Sequence, residues 1–354
     1  MTALASSRAR PGLRPVPYGL TAGLILLVLA ASILSLTSGA AGLGLGTLLK
    51  APFSAEGLTL RDKVVLYDIR LPRLVMGLAV GAALAVSGVL LQGLFRNPLA
   101  DPGIVGIGAG AGLGAVMAIV LGSFLPLWMA DLIGAHLVPF AAFFGGWAAT
   151  LLLYRAATAG GRTDVATMLL AGIALGALAG AVTGVMVYMA DDKQLRDLTF
   201  WGMGSLAGAT WGRLAAALPL ILLVLLIAPG LARGLNALAL GEAQAAHLGH
   251  NVQSVKRRAI FGAAAATGAA VAVSGGIGFV GIVVPHLLRL AMGPDHRLLL
   301  PHSALLGAGL LVLADLASRS IVAPAELPIG ILTALFGAPF FLWILLRQKG
   351  ALRG

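Results

Sequence analysis

Two ionisable residues, Asp315 and Arg319, lie in an apolar stretch near the end of the chain. Because they are four residues apart, a helix would place them on one face, where they can form an ion pair. An acid in a stretch apolar enough to span a membrane is by default a functional candidate, such as a proton or ion carrier. The nearby arginine favours a structural ion pair instead.

Two more arginines, Arg70 and Arg73, stand three residues apart at the start of another apolar run. The start of a helix is the positive end of its dipole, so positive side chains there need some other partner. Lipid headgroups, a local acid such as Asp68, or an acidic partner protein would each meet that need. Arginine suits the last of these because its guanidinium binds carboxylates in a bidentate way.

Other patterns that could carry chemistry are weak. His247 and His250 share one helical face only if Gly249 does not break the helix, so we predict no metal site there. Residues 103–114 are rich in glycine but lack the preceding strand and the later acid of a dinucleotide loop. None of the five lysines follows a glycine, so the chain has no Walker A loop. We therefore predict no catalytic residue and no enzyme activity.

The composition is that of an integral membrane protein. The chain has 354 residues, of which 59% are hydrophobic and 10% charged, against roughly 25% charged residues in soluble proteins. The apolar runs are continuous rather than alternating, and a spanning helix needs about 20 such residues, so we predict an all-α polytopic fold. The net charge of +11 is attributed to the enrichment of Lys and Arg in cytoplasmic loops and not to nucleic-acid binding.

Ten spans are predicted, within a single transmembrane domain over residues 19–346. They are 19–38, 71–94, 104–123, 136–155, 165–189, 213–232, 259–275, 280–292, 302–318 and 328–346. Most of the 24 Lys and Arg residues then fall on the side of both termini, which predicts that the tails 1–18 and 347–354 are cytoplasmic. The first apolar run is long enough to span and is interpreted as an uncleaved helix.

A polar interval interrupts the apolar runs at residues 235–258. Its first part is rich in alanine and predicts a short helix that ends near Gly249, and a second helix begins at about Asn251. Because the side chains in the first helix are small, it can dock closely against another surface.

Glycines recur every four residues in the span 165–189, and they are Gly172, Gly176, Gly180 and Gly184. Gly106, Gly110 and Gly114 show the same spacing in the span 104–123. Small residues at this spacing let helix backbones approach closely in lipid. Tight packing is the simpler interpretation, and a small-residue wall of a transport pathway is compatible with it.

Four long segments resemble the permease subunits of ATP-binding-cassette importers for cobalamin, iron siderophores and haem. They are residues 70–112, 241–249, 274–301 and 323–346, and the likeness covers nearly the whole chain from Arg70 onward. Residues 160–184 and 190–206 look most like the haem permeases of that family.

The resemblance implies a type II importer of this class in the bacterial inner membrane. We expect a homodimer of ten-helix subunits that takes haem from a periplasmic binding protein and passes it along the dimer axis to the cytoplasm. Two cytoplasmic ATPase subunits would hold ATP-Mg. A ferric siderophore or cobalamin is the alternative substrate, and an ion-coupled secondary transporter is the alternative class.

The resemblance also implies roles for particular residues, and a short outer helix over residues 191–206. Docking of the binding protein is expected at Arg70, Arg73 and Arg319. Coupling to the ATPase is expected at Gly241, Glu242, Ala243, Ala245, Ala246, His247, Leu248 and Gly249. The translocation path is expected at Gly172, Gly176, Gly180 and Gly184. Met186 and Tyr188, near the outer end of the same span, are candidate haem contacts on that path, with ordinary packing as the alternative.

Overall fold

The structure is a computed structural model that describes residues 18–39, 44, 46, 58–103 and 106–351. Most of the predicted N-terminal tail, 1–18, lies outside the described residues. The last helix was predicted to end at 346 but continues to Ala351. No helix-breaking residue precedes Gly350 there, so the backbone has no reason to stop at the edge of the apolar run.

The described residues form thirteen labelled helices and one small hairpin. In chain order they are α1 Tyr18–Thr37, α2 Leu71–Phe95, α3 Ile107–Leu121, α4 Leu127–Ala156, β1 Thr158–Ala159, β2 Arg162–Thr163, α5 Val165–Met189, α6 Asp192–Met203, α7 Trp211–Ile227, α8 Ala232–Ala239, α9 Glu242–His247, α10 Val252–Ser274, α11 Val280–Met292, α12 His296–Ile321 and α13 Ile329–Ala351. A short helix, Leu60–Lys63, and a π-helical segment, Val64–Arg70, lead directly into α2.

Every predicted span corresponds to one helix. Among the described residues, seven helical stretches are long and apolar enough to cross a membrane, and α11 and the apolar part of α13 are shorter apolar helices. The remaining span is α10, whose first turns carry Lys256, Arg257 and Arg258. The prediction of an all-α fold with about ten spans is therefore confirmed.

Helix α2 is the centre of the bundle. It packs against α12, α10, α11 and α7, and nearly all of its residues are buried. Glycines make these contacts close, because a Cβ on Gly81 would overlap the backbone of Gly307, and one on Gly88 would overlap Gly281. Small residues of this kind replace the hydrophobic force that is missing between helices in lipid.

The two glycine rows have different environments. In α3, a Cβ on Gly110 or Gly114 would collide with α4, so tight packing is confirmed there. In α5, a Cβ on Gly176, Gly180 or Gly184 would meet nothing within 4 Å in the described structure. These three glycines therefore do not serve helix packing within the described part of the chain.

Backbone hydrogen bonds join the end of α6, the end of α10 and the start of α13. The N–H of Ser205, just after α6, donates to the carbonyl of Ser274 at the end of α10 at 2.8 Å. The N–H of Ile329, which begins α13, donates to the carbonyl of Gly204 at 3.0 Å. Gly204 has φ +70° and lies against the backbone of Gly276, a position that only glycine occupies without strain.

A two-stranded hairpin, which run length and composition did not predict, separates α4 from α5. Thr158 pairs with Thr163 and Ala159 with Arg162 in antiparallel register. Gly160 and Gly161 form its two-residue turn with φ +56° and +76°. A turn with both central residues at positive φ matches the twist of a hairpin, so this Gly-Gly pair was the available signal.

Candidate functional sites at the two ends of the bundle

Arg73 is held between two carboxylates from distant parts of the chain. Its Nε donates to Asp315 Oδ1 and Oδ2 at 3.0 and 3.1 Å. Its Nη1 and Nη2 donate to Glu326 Oε1 and Oε2 at 2.8 and 2.9 Å. The guanidinium therefore makes bidentate contacts to both acids, which join α2, α12 and the loop before α13.

Two further arginines bind the end of α1. Arg319 Nη2 donates to the carbonyl and the hydroxyl of Ser35 at 2.8 and 2.9 Å, and Arg319 Nη1 donates to the carbonyl of Ser38 at 3.2 Å. Arg70 Nη1 donates to the carbonyl of Leu36. The last carbonyls of a helix lack partners within it, and cationic side chains supply them here.

These contacts place the predicted outer arginines inside the chain. Arg70 is 4% and Arg73 8% exposed, and the Arg319 side chain is 10% exposed. The predicted ion pair between Asp315 and Arg319 is confirmed, with Nε and Oδ2 3.7 Å apart. The acids that meet Arg73 are Asp315 and Glu326 and not Asp68, the local acid offered as one alternative. Docking by these arginines stays a prediction.

Glu326 is the half-exposed member of this cluster and lies outside the spanning helices. The hydrogen bonds from Arg73 lower the pKa of Glu326 below its ordinary value, and partial burial opposes that shift. A lowered pKa in the folded state stabilises the protein above the unfolded pKa, and that contribution is lost as the pH falls through the folded value.

The predicted helix-turn-helix forms at the opposite end of α12. Helix α9 ends at His247, Gly249 follows with φ +84°, and the side chain of Asn251 caps α10 by accepting from the N–H of Ser254. Ala243 and Ala246 are exposed on α9, whereas Ala245 is fully buried. The small exposed side chains leave the α9 surface open to a close-fitting partner.

Lys256 in α10 is a buried charge, whereas the neighbouring Arg257 and Arg258 are exposed. It is 2% exposed. Its Nζ lies 2.6 Å from Glu242 Oε1 in α9 and donates to the carbonyl of Thr163 at 2.7 Å. The helical period could have revealed it, since Val252, Ala259 and Ile260 lie on the same face as Lys256.

A second polar contact joins α8 to the start of α12. Asn236 Nδ2 donates to Asp295 Oδ1 at 2.6 Å, and the backbone N–H of His296 donates to Asn236 Oδ1 at 3.0 Å. Burial alone would raise the pKa of Asp295, but hydrogen bonds from Arg297 and Asn236 outweigh it and the pKa is lowered. The polar interval 235–258 is thus bonded both to α12 and to the hairpin.

The predicted path residues lie on an open face of α5. Gly180 and Gly184 are exposed, Met186 is half-buried, and Tyr188 is 91% exposed. Gly172 differs, because it is buried beside Gly106. Only three α5 residues are buried, namely Met168, Gly172 and Ala179, so most of this helix faces outward from the described chain.

A separate cavity of about 290 Å³ lies where the helix ends converge. Its lining includes Asp101, Trp201, Thr267, Gly276 and Gly281, and none of the predicted path residues. Burial raises the pKa of Asp101, although its hydrogen bond from the N–H of Gly103 partly opposes this. Among the described residues, no group of three or more His, Cys, Asp or Glu is placed to hold a metal ion.

An all-α bundle in which seven helical stretches of the described residues are long and apolar enough to cross a membrane is the architecture of a polytopic membrane protein. The chain belongs to the FecCD transport family, which matches residues 26–347.

Relatives at high identity support that assignment. The hemin transport system permease protein of Yersinia pestis is 50% identical over 80% of this chain and 83% of its own length. The cobalamin import system permease protein of Halobacterium salinarum is 47% identical over 80% of this chain and 73% of its own. The vitamin B12 import system permease protein of Vibrio vulnificus is 43% identical over 92% and 95%.

A solved structure shares the fold. It is described as an inward-facing conformation of a metal-chelate type ABC transporter. The TM-score is 0.80 at 33% sequence identity, and the match covers 94% of this chain and 99% of that one. The family and this fold together confirm the predicted ABC permease architecture.

Arg73 binds two acids with similar hydrogen-bond geometry but different burial. Removing each acid in turn therefore shows whether burial sets the contribution of an ion pair to stability. Both acids bind Arg73 through two contacts, but the Asp315 side chain is 3% exposed and that of Glu326 38%. Asp315→Asn should lower the free energy of unfolding by about 3–5 kcal/mol because it removes the ion-pair partner of buried Arg319 and leaves Arg73 only the more exposed Glu326. Glu326→Gln should cost about 1 kcal/mol or less because water screens that pair.

Thermal unfolding of both variants in one detergent at neutral pH measures the difference. Equal losses of stability in the two variants would show that burial is not the deciding factor.

Proposed function

We propose that this chain is the permease subunit of an ATP-driven importer that moves haem across the bacterial inner membrane. In this proposal haem arrives on a periplasmic binding protein and leaves into the cytoplasm. The observation that carries the choice of substrate is the 50% identity to a hemin transport permease over most of the chain. Residues 160–184 and 190–206, which look most like the haem permeases, cover most of α5 and the whole of α6.

A cobalamin or ferric-siderophore importer is the second candidate. It is favoured by the cobalamin permeases, which are 43–47% identical to this chain and include a match over 92% of it. The three substrates are bulky metal chelates, so the same scaffold could pass any of them.

An ion-coupled secondary transporter fits the structure less well. Asp315 is the acid that a proton or sodium pathway would need, but it is bonded to Arg73 and lies beside Arg319. The hydrogen bonds from Arg73 would have to break before this carboxylate could carry a proton or an ion, and breaking a buried ion pair is costly.

The proposed assembly is a homodimer with its path along the dimer axis. Support comes from α5, whose Gly176, Gly180 and Gly184 face open space. A second copy of the chain would give this face a neighbour, and substrate would pass between the two. Helix α6, capped by Asp191 and Gln194, would be the short outer helix that follows α5.

Two ATPase subunits carrying ATP-Mg are proposed to dock on the surface formed by residues 241–249, on the cytoplasmic side with both termini. Exposed Ala243 and Ala246 give α9 a surface without bulk, which favours close approach to a groove. Buried Ala245 would act from within, by seating α9 on the rest of the chain.

Transport driven by ATP tests the proposed function directly. The chain should be purified with its ATPase and placed in vesicles that contain ATP-Mg, with haem-loaded binding protein outside. We expect haem uptake that stops without ATP and that cobalamin and a ferric siderophore do not replace. Uptake driven by a proton gradient without ATP would refute the importer, and uptake of cobalamin alone would favour the second candidate.

Ala246→Trp should block association with the ATPase. The added indole overfills a close interface, which costs about 1–3 kcal/mol and corresponds to a loss of affinity of roughly 5-fold to 100-fold. The measurement is co-purification of the ATPase with the membrane-inserted variant. Arg233→Trp, outside the proposed docking surface, is the matched control. Normal complex formation by Ala246→Trp would show that the docking surface lies elsewhere.

Docking of the binding protein is proposed at the end of the bundle that carries Arg70, Arg73 and Arg319. Because these side chains are largely buried, their contribution in this conformation would be to hold the end of α1 and the loop with Glu326 in place. Arg319→Gln should weaken binding-protein affinity roughly tenfold, by analogy with losses at charged interface positions. Arg213→Gln, an equal change of charge, should not; unchanged affinity in both variants would refute the role.

A further inference from the structure

Lys256 is the point at which three segments of the chain meet. Its Nζ binds Glu242 in α9 at 2.6 Å and the carbonyl of Thr163 at the end of β2 at 2.7 Å. The ammonium group has three donors and is removed from water, so these two partners are strongly favoured over none. A displacement of α9 therefore acts on the hairpin through a single buried side chain.

The hairpin is fixed to α10 by a second bond. Gln253 Oε1 accepts from the backbone N–H of Thr163 at 3.0 Å. Both backbone polar groups of Thr163 are thus bonded to α10. The next residue, Asp164, caps α5 by accepting from the N–H of Thr167 at 3.0 Å and of Ala166 at 3.3 Å. The start of α5 is therefore tied to the start of α10 through Thr163 and Asp164.

The far end of α10 holds the other end of the same unit. The carbonyl of Ser274 accepts from the N–H of Ser205 at 2.8 Å, just after α6. Helix α6 follows α5 across the cap at Asp191. Along its sides, by contrast, α5 buries few residues. Helix α10 is therefore bonded near its start to the residue that precedes the cap of α5, and at its end to a residue that follows α6.

We propose that Lys256 is a positioning residue that transmits movement of α9 to α5. This inference rests on the proposed function, in which α9 docks on the ATPase and α5 borders the path. When the ATPase displaces α9, Glu242 carries Lys256 with it, and Lys256 carries Thr163 and the start of α5. The contact transmits displacement because it is short, charged and shielded from solvent.

The first experiment separates ATP hydrolysis from transport. Lys256→Met keeps the length of the side chain and removes its charge, and Arg257→Met makes the same change at the exposed neighbouring position. Each variant is purified with its ATPase, placed in vesicles and given haem-loaded binding protein. We expect Lys256→Met to retain the ATPase and to hydrolyse ATP, but to import at least about tenfold less haem per ATP than Arg257→Met.

The second experiment follows the contact itself. Since the chain contains no cysteine, spin labels can be placed at Arg162→Cys in the hairpin and His250→Cys beside α9. Pulsed electron paramagnetic resonance then measures the distance between the two spin labels with and without ATP. With Lys256 present the distance should remain narrowly distributed in both conditions. In Lys256→Met it should broaden when ATP is added, which a loss of folded protein alone would not produce.

Gln253→Leu is the second variant if Lys256→Met does not fold. It removes one of the two bonds to Thr163 and keeps the ion pair, so we expect a smaller fall in haem imported per ATP. Transport and label distances equal to those of Arg257→Met would overturn the inference. Loss of the ATPase from Lys256→Met alone would also overturn it, because Lys256 would then act in docking. If the wild-type chain retained no ATPase, the proposed function itself would fail.

Discussion

A charge that leaves water must find its partners within the chain, and this requirement organises both ends of the bundle. Arg73 meets Asp315 and Glu326, and Lys256 meets Glu242 and the carbonyl of Thr163. In each case at least one partner comes from a distant segment of the chain. A buried ion pair adds little net stability over apolar packing, but it is very sensitive to the loss of one partner. Such pairs therefore specify which segments must lie together.

Between the two ends, the structure relies on a different kind of contact. Gly81 and Gly88 of α2 lie directly against the backbones of Gly307 and Gly281. These contacts depend only on the absence of side chains. They therefore set how close two helices lie but do not specify which helices pair. Helix α5 packs along its length against α3 and α4 but buries only three of its residues. Its two ends are joined to α10 through the hairpin and through α6.

Local patterns were sufficient to predict much of this arrangement. Apolar run length predicted the spans, and Gly249 with Asn251 predicted the break between α9 and α10, because those signals act on neighbouring residues. The i,i+4 spacing predicted the pair of Asp315 and Arg319. Glu326 was missed as a partner of Arg73 because nothing local relates positions 253 residues apart. The helical period places Lys256 on the buried face of α10, but its contact with Thr163 joins positions 93 residues apart, which no local pattern relates.

The open glycine face of α5 also bears on how one scaffold could pass a bulky chelate. A wall of Gly176, Gly180 and Gly184 offers no side chain to grip a ligand. Such a wall selects little, because discrimination between substrates requires polar groups that the wrong substrate would leave unpaired. If α5 borders the path, selection of the substrate would rest largely with the binding protein. The permease would then need only to open and close, which is the task that a helix held at its two ends can perform.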